Sequence, residues 1–265
     1  MDWKRRVGMR QPESVSEVIA GGSGGFIGIL RDSPACDLKF CSPENLDAVE
    51  CLQRETEILG TLGHHKHIAR LEAVRDDGLS FVYYPFGSIR DYYQSLDNNL
   101  PPLQDRFRWC HQCIAGIAYI HSKNILHNDI SARNVLLSPD MTIKICDFGF
   151  STFGRIAGVL GRTETRYERP STSRYTDASP LDDLFAVGSL LFEILSGKRP
   201  YDDVDSGTIE QRYKSHEFPS LDSIDRNYAK IINKCWNEQY SCIEEIEDEL
   251  QLLIKGSSST TIRSR

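Results

Sequence analysis

The chain lacks any apolar run long enough to span a bilayer. Its longest, LFAVGSLLFEIL (Leu184–Leu195), carries Glu193 inside it and falls short of the roughly 20 residues a membrane helix needs. It also lacks an excess of positive charge: 31 Lys and Arg against 38 Asp and Glu give a formal net charge of −7. That balance argues against a general nucleic-acid binder, which presents a basic face. The N-terminus MDWKRRVGMRQ has basic residues but no apolar segment behind them, so no secretory signal is read there. Nor is there a disulfide framework. Cysteines stand at 36, 41, 51, 110, 113, 146, 235 and 242 without short repeated spacing. Reduced thiols in a reducing compartment are therefore expected, which points to the cytoplasm and leaves the nucleus open. CHQC (Cys110–Cys113) has no second pair at ligand spacing, as a closed zinc site would require, and both cysteines fall on the apolar stripe of a helix. Core packing is the expectation for them. No internal repeat, no long linker and no GxxxxGK[ST] phosphate loop is present.

What is present is ordinary for a globular protein: 265 residues, 40% hydrophobic and 26% charged. The character of the chain changes once. Residues 18–83 read as short strands around one helix and 103–254 as mainly helical, with a join near YYPFG (Tyr83–Gly87). Residues 1–17 read as a flexible leader, and KGSSSTTIRSR (Lys255–Arg265) as a disordered tail. The first strong helix is SPENLDAVECLQRETEILGTL, with Ser42 as the expected N-cap and Pro43 at the first helical position. Glu55 lies on its apolar stripe of Ala48, Leu52, Leu59 and Leu62. A carboxylate on a buried face needs a cation from elsewhere. DDLFAVGSLLFEIL is apolar nearly all round after its first turn and should be a central buried helix.

The chemistry gathers around LHNDISARNVLL (Leu126–Leu137). Two apolar runs flank the turn signal SPDM, which predicts a β-hairpin centred near Asp140. Such a hairpin sets Asn134 opposite Cys146 and beside Asp147 at its open end, with Asp129 on the loop leading in. Three oxygen-bearing side chains converge, a set suited to Mg²⁺ together with substrate phosphates. A phosphate cradle is expected nearby, and AGGSGGFIG (Ala20–Gly28) is the candidate. Strand, turn and strand follow it rather than a helix, so it reads as a glycine-rich hairpin and not as a dinucleotide fold. Lys39 on the next strand supplies a counter-charge to phosphates and a partner for Glu55.

These residues, in this order, resemble a eukaryotic-type protein kinase domain over roughly 18–254. GGSGGF resembles the glycine-rich loop with Phe26 at its tip, CDLK the strand that ends in Lys39, and RETEIL the helix that carries Glu55. FVYYPFGSI resembles the hinge after Phe81, HNDISARN the catalytic loop, and DLFAVG the start of a buried helix; DFG (Asp147–Gly149) is intact. The resemblance implies an α+β, bilobal fold: a small antiparallel β-sheet lobe with one helix (about 18–83) and a larger helical lobe (about 87–254). It implies an ATP- and Mg²⁺-dependent protein kinase acting on a protein substrate, monomeric or in transient complexes. On it, Asp129 would be the catalytic base, Asn134 and Asp147 the metal ligands, and Lys39 the phosphate contact set by Glu55. Arg133 would stand near the transferred phosphate. Gly22, Gly24, Gly25, Phe26, Ile29, Phe81, Val82, Tyr84 and Leu136 would line the nucleotide site. Leu59, Leu71, His127 and Phe148 match the apolar stack that links the lobes.

The sequence departs from that family in four places. Asn128 replaces the Arg before the catalytic Asp, the residue that senses a phosphorylated activation segment. Activity independent of phosphorylation at Ser151, Thr152, Thr163 and Thr165 is therefore expected. Ile27 replaces the third loop glycine, and Asp37 the small residue that packs on adenine. RYERPS ends in Ser171 where the family has Glu, and after Arg226 no Arg follows until Arg263, so both halves of a usual ion pair are missing. ARN resembles the tyrosine-kinase loop, whereas Thr163 and Thr165 lean the reading to Ser/Thr. The alternatives are a pseudokinase serving as a nucleotide- or partner-binding module, and a small-molecule kinase. DFG, the long segment to Pro170 and DLFAVG favour a protein substrate over the latter.

Overall fold

The computed structural model describes residues 11–22, 24–96, 99–154, 164–170 and 178–260, with side chains of the last helix followed to 253. Five strands and one helix make the first lobe. The strands β1 (Val15–Gly22), β2 (Gly25–Leu30), β3 (Cys36–Phe40), β4 (Leu71–Arg75) and β5 (Gly78–Val82) form an antiparallel sheet ordered β1-β2-β3-β5-β4. Val15 is wholly buried and joins Val18, Leu30, Leu38 and Phe40 in a small core on this sheet. The lobe thus begins inside the stretch expected to be a leader, because Val15 and Val18 gain apolar cover there.

Helix α1 (Leu46–Leu62) joins β3 to β4 and buries Ala48, Cys51, Glu55, Ile58, Leu59 and Leu62. Its cap is Asn45 rather than Ser42. The Asn45 side chain accepts from the Ala48 N–H at 3.2 Å, while the Asn45 N–H closes a turn onto the Ser42 carbonyl at 3.0 Å. Asn and Ser cap about equally well; the turn spends Ser42 and leaves Asn45 at the helix mouth.

The second lobe contains α2 (Ile89–Gln94), α3 (Leu103–Ser122), α4 (Pro180–Ser196), α5 (Ser206–Lys214), α6 (Arg226–Trp236) and α7 (Ile243–Thr260). It also holds the two-stranded pairs β6 (Ile125–Leu126) with β9 (Thr152–Phe153), and β7 (Val135–Leu137) with β8 (Ile143–Ile145). α4 is the central helix, buried at every position from Asp183 to Leu195. It opens on a Ser179–Asp182 capping box with Pro180 in the first turn and stops at Gly197, whose φ of 74° is the left-handed cap. Cys110 and Cys113 are wholly buried on α3, and no cluster of three or more potential metal ligands from His, Cys, Asp and Glu occurs among the described residues. α7 continues to Thr260, into the stretch expected to be a tail, since a helix already nucleated extends at little cost per residue. One apolar core runs from Ile58, Leu59 and Phe81 of the first lobe through Phe148 to α4 and α6. The lobes therefore share a core at their junction, and the candidate site lies over it.

Candidate active site

Lys39 is set by strand alternation. In β3 the side chains of Asp37 and Lys39 share one face of the sheet and Leu38 takes the other. Lys39 reaches Glu55 Oε2 at 2.6 Å and Asp147 Oδ1 at 2.7 Å, so one buried cation ties β3, α1 and the chain after β8 together. Burial works against the ammonium, but Asp147 and Glu55 outweigh it and hold the Lys39 pKa above its ordinary value. Burial likewise opposes charge on Asp147, and Lys39 overrides it, keeping that carboxyl below the usual range and ionised. Glu55 Oε1 accepts from the Phe148 N–H at 3.1 Å, which fixes the DFG backbone against α1. The His127 and Phe148 rings meet at 5.0 Å between centroids, beside the core that includes Leu59 and Leu71.

The hairpin falls where its turn signal puts it, with Val135 opposite Ile145 and Leu137 opposite Ile143. The Cys146 N–H donates to the Asn134 carbonyl at 3.0 Å, extending the register to the open end. Asn134 Nδ2 donates to the Asp129 carbonyl and to Asp129 Oδ2, each at 2.8 Å. Arg133 Nη2 donates to Asp129 Oδ2 at 3.1 Å from a half-exposed position. Asp129 itself is 1% exposed; burial pushes its carboxyl above the usual carboxylate range, with the Arg133 charge opposing.

Sequence reasoning missed the residue that holds this loop. Asp183, on the first turn of α4, accepts from the His127 N–H at 2.8 Å and the Asn128 N–H at 2.9 Å, and its Oδ2 lies 2.9 Å from His121 Nε2. The signal was present: a carboxylate on an otherwise apolar helix needs partners, as Glu55 did. Asn128 takes the left-handed conformation at φ 63°, which Asn adopts more readily than most residues. Its Nδ2 donates to the Phe150 carbonyl at 2.9 Å and to Thr152 Oγ1 at 3.1 Å. Ser151, wholly buried, donates to the His127 carbonyl at 3.1 Å. Ser151 and Thr152 thus act as structural hydroxyls. Thr163 lies outside the described residues.

Above the loop, β1 turns into β2 between Gly22 and Gly25. Phe26 is therefore not at the tip: it pairs with Gly21 and Phe40 inside the sheet, its ring 6.0 Å from that of Phe40. Gly25 has φ 122°, and a Cβ there would lie 2.5 Å from the Phe40 carbonyl oxygen, so only glycine fits. A Cβ on Gly24 would lie 3.8 Å from Lys39 Nζ and 4.0 Å from Asp147 Oδ1, which places the tip directly over the ion pairs. Ile29, Asp37 and Phe81 sit side by side across three strands. Leu136 is half-buried on the second lobe. In the hinge, the Tyr83 N–H is spent on the Ala35 carbonyl at 2.8 Å, whereas the Tyr84 N–H makes no hydrogen bond to the described residues.

Beyond the loop a second charged network anchors residues 164–170. Arg90 on α2 binds Glu193 on α4 at 2.9 Å and also bonds Glu164 and the Tyr167 hydroxyl; Glu193 accepts from that hydroxyl. Glu164 lies 3.8 Å from Arg133 as well. The ion pair expected to be absent would involve Ser171, which lies outside the described residues; a different pair ties this stretch to the helical lobe. Arg169 binds Asp182 at 2.8 Å and Glu238, between α6 and α7, at 3.2 Å. In this pair the cation lies on the segment and the anions on the helical lobe.

A two-lobed fold with a Lys–Glu–Asp triad in the cleft and an Asp–Asn loop beneath it defines the protein-kinase class. The family model for protein tyrosine and serine/threonine kinases matches residues 31–247, and the chain belongs to that family. Tyrosine-protein kinase FRK of Homo sapiens is 27% identical over 236 residues, covering 82% of this chain and 46% of its own. A probable LIM domain-containing serine/threonine-protein kinase of Dictyostelium discoideum is 24% identical over 267 residues, 96% of this chain and 41% of the relative. Lectin-domain containing receptor kinase VI.3 of Arabidopsis thaliana is 31% identical over 212 residues, 71% of this chain and 30% of the relative. The chain thus spans less than half the length of these relatives. No helix among the described residues is long and apolar enough to cross a membrane.

Proposed function

We propose that the chain transfers the γ-phosphate of ATP to a hydroxyl of a protein substrate, Ser/Thr in preference to Tyr, without needing phosphorylation of its activation segment. The observation that carries this is the simultaneous closure of Lys39 on Glu55 and Asp147 beside the bonded Asp129–Asn134 pair. Asp129 orients the acceptor hydroxyl and takes its proton, and Arg133 beside it faces the transferred group. Asn134 commits Nδ2 to Asp129 and keeps its side-chain oxygen; Asp147 is ionised and bonded to Lys39 through Oδ1, which leaves Oδ2. Two such oxygens suit Mg²⁺, which takes one or two carboxylates plus phosphates. Bound ATP and Mg²⁺ supply the phosphoryl group and neutralise its charge. The Tyr84 N–H and the carbonyl of Val82 are the hinge groups for the base. The eight free thiols fit a cytoplasmic protein.

Independence from phosphorylation rests on two contacts. Asn128 ties the start of the segment directly to Phe150 and Thr152, and the Glu164 carboxylate already supplies an anion to Arg90 and Arg133. Thr163→Ala/Thr165→Ala protein should keep its transfer rate after phosphatase treatment; loss of transfer in a folded sample refutes this. The pseudokinase reading is favoured by one observation, the glycine hairpin lying on Lys39 and Asp147. Labelled ATP with Mg²⁺ separates the two. Transfer abolished in Asp129→Asn and Lys39→Met makes the chain a kinase, with a loss of about 10²–10⁴-fold expected for the Asp129 change. Nucleotide binding without transfer under any condition makes it a pseudokinase.

A further inference from the structure

Asp37 is a partly buried carboxyl on the nucleotide-facing side of the sheet that the machinery above does not use; Glu17 of β1, paired with Ile29, is exposed at the edge of the same face. Asp37 lies between Ile29 and Phe81 in register and on the same face as Lys39, which points into the cleft. Its carboxyl is half-buried, and no cation lies within ion-pair distance of it among the described residues. The nearby Lys39 charge is already engaged by two other carboxylates. Besides Lys39, the titratable groups that feel it are Tyr84 of the hinge and Cys146 at the end of β8, both raised partly by its charge; β2 and β5 face it with Ile29 and Phe81.

We infer that Asp37 makes nucleotide binding by this chain proton-linked: the base packs against the neutral acid and is opposed by the carboxylate. This rests on the nucleotide-binding reading of the cleft. A base seated between this roof and Leu136 removes the water that still solvates Asp37, and it offers a carboxylate no compensating cation. Partial burial alone already raises the Asp37 pKa to about 7. Binding raises it further, so the acid is taken up protonated. Affinity is then full below about pH 7 and falls by up to about tenfold per pH unit above it. Cys146 is raised well above its ordinary value and Tyr84 is raised too, so both stay neutral across this window, while Lys39 stays charged.

The test uses adenosine, which has no phosphate to titrate, in calorimetric titrations from about pH 6 to about pH 8.5 in buffers of different ionisation enthalpy. The expected result is a dissociation constant that rises about tenfold per unit above about pH 7.5, with uptake of nearly one proton. In Asp37→Asn and Asp37→Ala the slope and the uptake should vanish. Should a variant fail to fold, wild-type uptake decides: binding without proton uptake overturns the proposal. The same slope persisting in Asp37→Asn also overturns it, whereas nucleotide binding itself stands in both cases. No binding by wild type at any pH refutes the nucleotide-binding reading and the proposal together.

Discussion

Replacing Asn128 by Ala tests how the segment after DFG is held. The substitution removes two hydrogen bonds, to Phe150 and Thr152, each worth about 1 kcal/mol net. It also puts Ala at φ 63°, which costs about 1 kcal/mol more than Asn. The backbone N–H of residue 128 keeps Asp183 in every variant. The expected loss is about 3 kcal/mol, which at this chain length lowers the thermal midpoint by about 5 °C. Asn128→Gly relieves the backbone cost and should recover about 1 kcal/mol of it. Hydrogen exchange should localise the change to the β6–β9 pair, above all to the Gly154 amide bonded to Asn124. Phosphotransfer should fall with nucleotide affinity unchanged, because Lys39 and Asp147 are untouched. An alanine variant with a wild-type midpoint and wild-type β6–β9 exchange refutes the anchoring role.

Arg169→Ala breaks the ion pairs to Asp182 and Glu238. Its partners are about a third exposed, so solvent screening holds the loss to about 1–2 kcal/mol, a midpoint shift of about 2–4 °C. A double-mutant cycle with Glu238→Ala should show coupling that shrinks with added salt; strict additivity would count against the pair. Burial keeps the Cys146 thiol protonated at neutral pH, so its alkylation should be slow, accelerate with pH and be blocked by ATP with Mg²⁺. Equal labelling of the Cys146 peptide with and without nucleotide contradicts its placement in the cleft.

The sequence determined the chemistry wherever it depends on local spacing. Asp129, Asn134 and Asp147 converge because a short hairpin folds one way, and Glu55 announced itself as a carboxylate on an apolar stripe. The motif order was enough for the family. Local reasoning failed where contacts join distant segments. Nothing near Asn128 reveals that Asp183 holds its backbone, and nothing in RYERPS reveals that Arg169 meets Glu238, because charge complementarity has no fixed separation in sequence. The glycine run did not announce its own turn, since Gly22 through Gly25 permit several, and pairing to β3 selected one. The tertiary structure also decided the state of Asp37. Its identity was legible, but its partial burial and its lack of a cation depend on the strands that flank it and on Lys39 being held by Glu55 and Asp147.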